Sequence, residues 1–247
     1  MVKTIQISTP IQFFGPNYIT GLCTFTGTEE NRAALYDNSA DELATFSNAD
    51  TSQATVWSVT FADKYGQAVA RAVDTVIIEN CSADSVEILY TNEADELVSL
   101  GKFALEKNNI FTVAECLAKG LVFRFFCKEE SFVVGEIRAL KYLFDLEATS
   151  QTQIDPNTDG GSYTTQDGGF HTWTNYYKLG LSIEVNNGNY EQYMVLSDRV
   201  KESKNVTIVP FYELAFFVVE GAINREIKPS VNRFSGLLDY SIKVVSV

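Results

Sequence analysis

The sequence is short of histidine: His171 is the only one. One imidazole excludes every metal centre built on two or more histidines. A Ser-His-Asp or Cys-His site stays arithmetically open, but a lone His in a turn-rich segment reads as a surface or packing residue. There is no Cys-x-x-Cys pair, which removes the zinc ribbon and the dithiol redox motif. Cys23, Cys81, Cys116 and Cys127 therefore read as buried free thiols behaving as small hydrophobes. A disulfide among them would need an oxidising compartment. No apolar run reaches about 18 residues, so no membrane-spanning helix is expected. Positive charge is scarce, with 19 Lys+Arg against 32 Asp+Glu and a formal charge of −13. A nucleic-acid backbone would be repelled, so nucleic acid is excluded as a partner. The first residues, Met1-Val-Lys-Thr-Ile-Gln-Ile-Ser-Thr-Pro10, alternate apolar and polar. They lack the apolar core of about 7–15 residues that marks a signal peptide, and the chain reads as made in the cytoplasm.

What is present is a globular composition. The 247 residues are 45% hydrophobic and 21% charged, enough for one large domain or two small ones. One composition break stands out. Residues 148–169, ATSQTQIDPNTDGGSYTTQDGG, hold no Lys, Arg or Glu, and Ile154 is their one aliphatic side chain larger than Ala. Such a stretch buries little apolar surface and reads as a polar linker or long loop. It divides the chain into 1–147 and 170–247.

Both parts read as mainly β. In the first, Val73–Glu79, Val86–Tyr90, Leu121–Cys127 and Phe132–Leu140 are runs of β-branched and aromatic residues separated by turn clusters. Val86, Ile88 and Tyr90 share a face under a period of two, as do Leu121, Phe123 and Phe125. Trp57, Ile77, Ile88, Phe123 and Ile137 are expected to be buried. Thr28–Leu35 has room for one helical turn, stopped at Asp37-Asn-Ser. In the second part, Leu179–Val185 alternates, Asn186-Asn-Gly-Asn supplies a tight turn, and Tyr190–Leu196 is expected to return as a strand. Val206–Pro210 and Leu238–Val244 read as further strands. Phe211–Val219 fits helix or strand: Pro210 and Glu213 favour the first, Val218-Val219 the second.

Four segments carry a family resemblance over about residues 20–142. They are Asn48-Ala-Asp-Thr-Ser-Gln-Ala-Thr-Val-Trp57-Ser, Val73-Asp-Thr-Val-Ile-Ile-Glu-Asn80, Val86-Glu-Ile-Leu-Tyr-Thr and Val134-Gly-Glu-Ile-Arg-Ala-Leu140. Together they resemble a discoidin-type (F5/8 type C-like) galactose-binding-like jelly roll: an acidic loop leading to a Trp anchor, a central strand ending in Asn, the strand after it, and a closing strand with Gly-Glu-Ile. The resemblance implies a non-catalytic module that binds glycans, lipids or proteins through loops at one end of the sandwich. These loops vary, so the resemblance assigns no ligand-binding residue. The disulfide that often joins the domain ends in this family is not evident here. Residues 170–247 resemble no family.

The chemistry-bearing motifs are few. Asp155-Pro-Asn-Thr-Asp-Gly160 matches the first half of a calcium loop, which makes Asp155, Asn157 and Asp159 candidate calcium ligands. Gln166 stands where such a loop has its bidentate Glu, and the alternative is an ordinary Asp/Asn/Gly turn. No other cofactor is indicated. Glu129-Glu130 and Glu93-x-Asp95-Glu96 read as solvated carboxylates rather than a glycosidase pair. Gly160-Gly-Ser and Gly168-Gly-Phe lack the Lys or helix of a phosphate loop. Phe170-His-Thr-Trp-Thr-Asn-Tyr-Tyr177 gathers aromatics that suit sugar stacking or a subunit contact, or else form the first strand of the second domain.

These readings point to a non-catalytic protein, with an enzyme only third, and leave two functions ahead of it. The first is a structural or adhesion subunit of a larger assembly, such as a phage virion or tail component, released by lysis. The alternative is a soluble carbohydrate-binding module. Partners would be other subunits or copies of the chain, with glycans as further ligands. The apolar run Ile208–Val219, in a part too small to bury it all, suits such contacts.

Overall fold

The computed structural model describes residues 10–37, 42–146, 153–164, 170–202, 204–209, 218–223, 227–231 and 235–246, with backbone alone over 153–164, 170–180 and 245–246. Contacts divide the chain into two units. One is Asn17–Tyr142; the other joins Met1–Pro16 to Leu143–Val247. This differs from the expected boundaries at 147 and 170. Ile11 and Phe13 of strand β1 (Ile11–Phe14) are buried in the second unit's core, which draws the chain start into that unit.

The first unit is an antiparallel sandwich. Its strands are β2 (Thr24–Thr26), β3 (Ala44–Ser47), β4 (Thr55–Thr60), β5 (Arg71–Glu79), β6 (Ser85–Thr91), β7 (Leu97–Ala104), β8 (Asn109–Ala118), β9 (Gly120–Phe126), β10 (Ser131–Val134) and β11 (Glu136–Leu140). One sheet has the order β2-β4-β9-β6-β7, the other β11-β5-β8, and β10 pairs with β3. The expected run Phe132–Leu140 is two strands. Gly135 separates β10, on β3, from β11, on β5. The expected helical turn is a 3-10 turn, Arg32–Leu35.

Period-two alternation builds the core. Trp57 and Val59 of β4, Leu121, Phe123 and Phe125 of β9, and Val86 and Ile88 of β6 all lie in one cluster. Val76 and Ile78 of β5 and Ile137 and Ala139 of β11 face them from the other sheet. A bulge between Val73 and Thr75 lets Val73 join the same face as Val76. The five residues expected to be buried are buried, but Ile77 lies on the face of its sheet opposite Val76 and Ile78.

The second unit holds β12 (Tyr142–Leu146), β13 (Gln153–Thr164), β14 (Phe170–Gly188), helix α1 (Tyr190–Lys201), β15 (Val206–Val209), β16 (Val219–Ile223), β17 (Ser230–Val231) and β18 (Leu238–Ser246). With β1 they form a sheet of order β12-β1-β15-β16-β18-β14-β13, and β17 pairs with β18. Leu181, Ile183, Val185, Val206, Ile208, Ile242 and Val244 pack with Leu196 of α1 in its core.

Two expectations are corrected here. Residues 153–164, placed in a linker or loop, are strand β13, paired along its length with β14. Backbone hydrogen bonds need no large side chains, so a stretch built on Gly, Thr and Asp can be a strand when a neighbour supplies the ladder. Residues 148–152 and 165–169 lie outside the described residues. Tyr190–Leu196, expected as a strand, begins helix α1. Asn189 has an extended backbone and its Oδ1 accepts the Glu191 N–H at 2.7 Å, a helix N-cap, so the chain turns into a helix where a hairpin was expected. The expected strands at 206–210 and 238–244 appear as β15 and β18. Of the ambiguous stretch, residues 211–217 lie outside the described residues and Val219 opens β16.

Candidate functional site

The most distinctive polar group of the sandwich lies where β2 gives way to the loop before β3. Thr26 pairs with Ser58, so Gly27 and Glu29 leave the sheet beside Trp57. Reciprocal backbone bonds between Glu30 and Thr45, of 2.9 and 3.1 Å, pin the loop to β3. Asn31 takes a left-handed backbone (φ 56°) and donates its side-chain N–H to the Leu43 carbonyl at 3.2 Å. The 3-10 turn that follows presents Arg32.

Glu29 Oε1 accepts hydrogen bonds from Trp57 Nε1, at 3.2 Å, and from Arg32 Nε. The Glu29 side chain is fully enclosed, whereas that of Arg32 is 40% exposed. Glu29 Oε2 meets no hydrogen-bond partner among the described residues. The Arg32 guanidinium stands 5.8 Å over the Phe25 ring. Phe25 stacks on Tyr36 with centroids 5.0 Å apart and on Trp57 at 5.8 Å. Phe25 and Tyr36 are half-buried. A Cβ at Gly27 would run into the Glu29 carboxylate and stand 2.6 Å from Trp57 Cδ1, so only glycine allows this closure.

The chemistry follows from the parts. A buried carboxylate fixes the Nε edge of a guanidinium, and an aromatic face supports its plane. The outer Nη groups are left to donate to an acceptor arriving from solvent. A fork held this way suits paired oxygens on a planar or vicinal polyol group.

Neighbouring loops at this end of the sandwich are tied to one another. Asn48, which is buried, donates to the carbonyls of Cys127 at 2.8 Å and Glu129 at 2.9 Å. Thr55 Oγ1 donates to Asn48 Oδ1 at 3.2 Å. The Lys128 N–H donates to Asp84 Oδ2 at 2.9 Å. Asp50 closes its own turn, accepting from the Ser52 hydroxyl at 2.6 Å, the Ser52 N–H at 3.0 Å and Gln53 Nε2 at 2.8 Å. These bonds, the Ser52 hydroxyl first, hold its carboxyl below the ordinary Asp value.

Other carboxylates singled out in the sequence are placed as follows. Glu136 of the Gly-Glu-Ile segment is buried beside Arg138, 3.9 Å from Nη2, and Arg138 also pairs with buried Glu79. Glu93, Asp95, Glu96, Glu129 and Glu130 are exposed, and Asp95 pairs with Lys119 at 2.8 Å. Each of the four cysteines is a buried free thiol.

Asp155, Asn157 and Asp159 occupy alternate positions of β13, in register with Gly180, Lys178 and Tyr176. The calcium reading needed a sharp turn at Gly160; the backbone instead continues as a strand with an irregularity between Asp159 and Gly160. Their side chains lie outside the described residues. The segment Phe170–Tyr177 is strand, part of β14, and its side chains, His171 included, also lie outside the described residues. Among the described residues no group of three or more His, Cys, Asp or Glu could hold a metal ion, and no helix is long and apolar enough to cross a membrane.

The pairing of Glu29 with Arg32 was visible in the sequence as Glu29-Glu-Asn-Arg32, an acid three residues before a base. It reads there as ordinary helix-turn chemistry. Only the tertiary partner, Trp57, distinguishes it.

No family model matches the chain, and no curated protein matches it. Several solved structures are similar over about half its length. One is the family 32 carbohydrate-binding module of Clostridium perfringens NanJ in complex with galactose, 15% identical, covering 52% of this chain and 99% of that one, with a TM-score of 0.40. Another is chitosan-binding module 1 from a chitosanase/glucanase of Paenibacillus, 12% identical, covering 51% and 98%, TM-score 0.40. A third is a Ruminococcus gnavus GH29 fucosidase in complex with fucose, 13% identical, covering 51% of this chain but only 28% of that one, TM-score 0.41. The fold over Asn17–Tyr142 is an antiparallel β-sandwich.

Proposed function

We propose that the chain is a carbohydrate-binding module without catalytic activity, and that glycan is held at the Arg32–Glu29 group. One observation carries this reading: a half-exposed guanidinium fixed by a fully enclosed carboxylate over an aromatic ring. Such a group recognises oxygen pairs by hydrogen bonding and offers no nucleophile. Glu29 is engaged twice on one oxygen and shut from solvent, so it acts as a positioning residue rather than a general acid.

Of the two functions drawn from the sequence, the carbohydrate-binding module is the one this constellation supports. A phage virion or tail setting draws no support from it. The test is a glycan array followed by calorimetric titration of any hit. Arg32→Gln should abolish binding while leaving the far-ultraviolet spectrum unchanged. Binding that survives Arg32→Gln would move the site elsewhere, and an array with no hit would count against the module itself.

A further inference from the structure

The positive charge of Arg32 is already balanced before any ligand arrives. Its Nε donates to Glu29 Oε1, and the Glu29 side chain is fully enclosed. Water and salt screen an enclosed charge far less than an exposed one. Phe25 turns the negative face of its ring to the same cation at 5.8 Å. A ligand that reaches the outer Nη groups therefore meets strong hydrogen-bond donors but little net positive charge. The surroundings add negative charge. Between β2 and β3 the chain carries Glu29, Glu30, Asp37, Asp41 and Glu42, and Arg32 is the one base there. Glu30 and Asp37 are exposed beside the 3-10 turn. The other loops at this end of the sandwich hold Asp50, Asp84, Glu129 and Glu130 against Lys128, while Glu106 and Lys107 cancel.

Sugars offer two oxygen patterns to a guanidinium fork. Vicinal hydroxyls are neutral. A sugar carboxylate is a planar pair of oxygens with a full negative charge. An arginine without a counter-ion prefers the second, through two parallel charge-assisted bonds. Here a ligand carboxylate would share one guanidinium with Glu29. It would face a second carboxylate across that group, in a field that is negative overall. A pair of hydroxyls accepts from the same Nη groups without that repulsion.

We infer that Glu29 sets the charge selectivity of this site, making the Arg32 fork a receptor for vicinal hydroxyls of uncharged sugars and turning away sugar carboxylates and sulfates. The inference rests on the glycan reading of the Arg32–Glu29 group and narrows it to one ligand class. Glu29 acts through Arg32 and through its own charge, without touching the sugar. Glu29→Gln separates the two roles. The glutamine keeps an acceptor at Oε1 for the Arg32 and Trp57 N–H groups. Its amide nitrogen takes the place of Oε2, which has no hydrogen-bond partner to lose among the described residues. The charge goes and the shape stays.

The test is calorimetric titration of the full chain with matched methyl glycosides. Glucose, galactose and mannose are each set beside the uronate in which C6 is a carboxylate. For the sugar that binds, the wild type should take the neutral member about tenfold more tightly than the uronate. Added salt should leave the neutral affinity unchanged. Glu29→Gln should bring the ratio to about threefold or less, because the repelling charge is gone. A merely structural role for Glu29 would lower both affinities and leave the ratio where it was. The wild-type ratio is a test by itself, whatever the stability of the variant. A wild type that takes a uronate as tightly as its neutral partner would overturn the inference and leave the glycan reading intact. So would a Glu29→Gln ratio equal to that of the wild type. No heat from any sugar, neutral or acidic, would overturn the glycan reading and this inference with it.

Discussion

Trp57 and Glu29, 28 residues apart, are joined by a hydrogen bond of 3.2 Å from the indole N–H to the carboxylate. The bond links a fully buried aromatic of the sandwich to the loop that carries Arg32. It turns a packing residue into a support for a surface cation.

Truncating Trp57 tests how much the sandwich depends on it. Trp57 is fully buried against Phe123 and Phe25. Trp57→Ala is expected to cost about 3–5 kcal/mol in urea unfolding. Trp57→Phe keeps most of the volume but removes the N–H, and should cost about 1–3 kcal/mol because a buried carboxylate oxygen loses a donor. A Trp57→Phe variant as stable as the wild type would show that the hydrogen bond contributes nothing.

Gly27→Ala probes the closure of the loop. The added methyl meets the Glu29 carboxylate and the Trp57 ring. Overpacking of this kind costs about 1–3 kcal/mol. Because Glu29 must shift, glycan affinity should fall together with stability. A variant as stable and as tight-binding as the wild type would show that the loop has room to spare.

Alkaline pH should destabilise the fold. Burial raises the Cys81 and Cys116 thiols from 9.0 to about 11, helped at Cys116 by the charges of Asp74 and Glu115. Burial likewise raises Tyr240 from 10.0 to about 12. Below pH 9 these groups are neutral in both folded and unfolded chains, and their contribution is fully present. Above it the unfolded chain releases its protons first, so stability falls as pH rises through the folded values. Urea midpoints should hold up to pH 9 and drop by pH 11. A midpoint unchanged at pH 11 would show that these thiols and the phenol are hydrated in the fold.

The sandwich was legible because its strands obey a period of two and its turns are marked by Asn, Asp, Gly and Ser. Trp57, Ile88 and Phe123 fall where the alternation puts them. Strand β13 was illegible for the opposite reason. Its residues carry no apolar alternation, and its partner β14 supplies the reason it is a strand. Helix α1 was hidden by Tyr190, Tyr193, Met194, Val195 and Leu196, which look like a returning strand until the Asn189 cap is seen. The site itself lay in an acid–base pair that local chemistry fully explains; its meaning came from Trp57, a contact no local reading supplies.

The most direct test of the glycan reading is calorimetric titration of one array-selected glycan into the wild type, Arg32→Gln and Arg32→Lys. Arg32→Lys keeps the charge but loses the fork. The account predicts measurable binding by the wild type, none by Arg32→Gln, and at least a tenfold loss for Arg32→Lys, about 1.4 kcal/mol. Equal affinity of all three proteins for the glycan would contradict it.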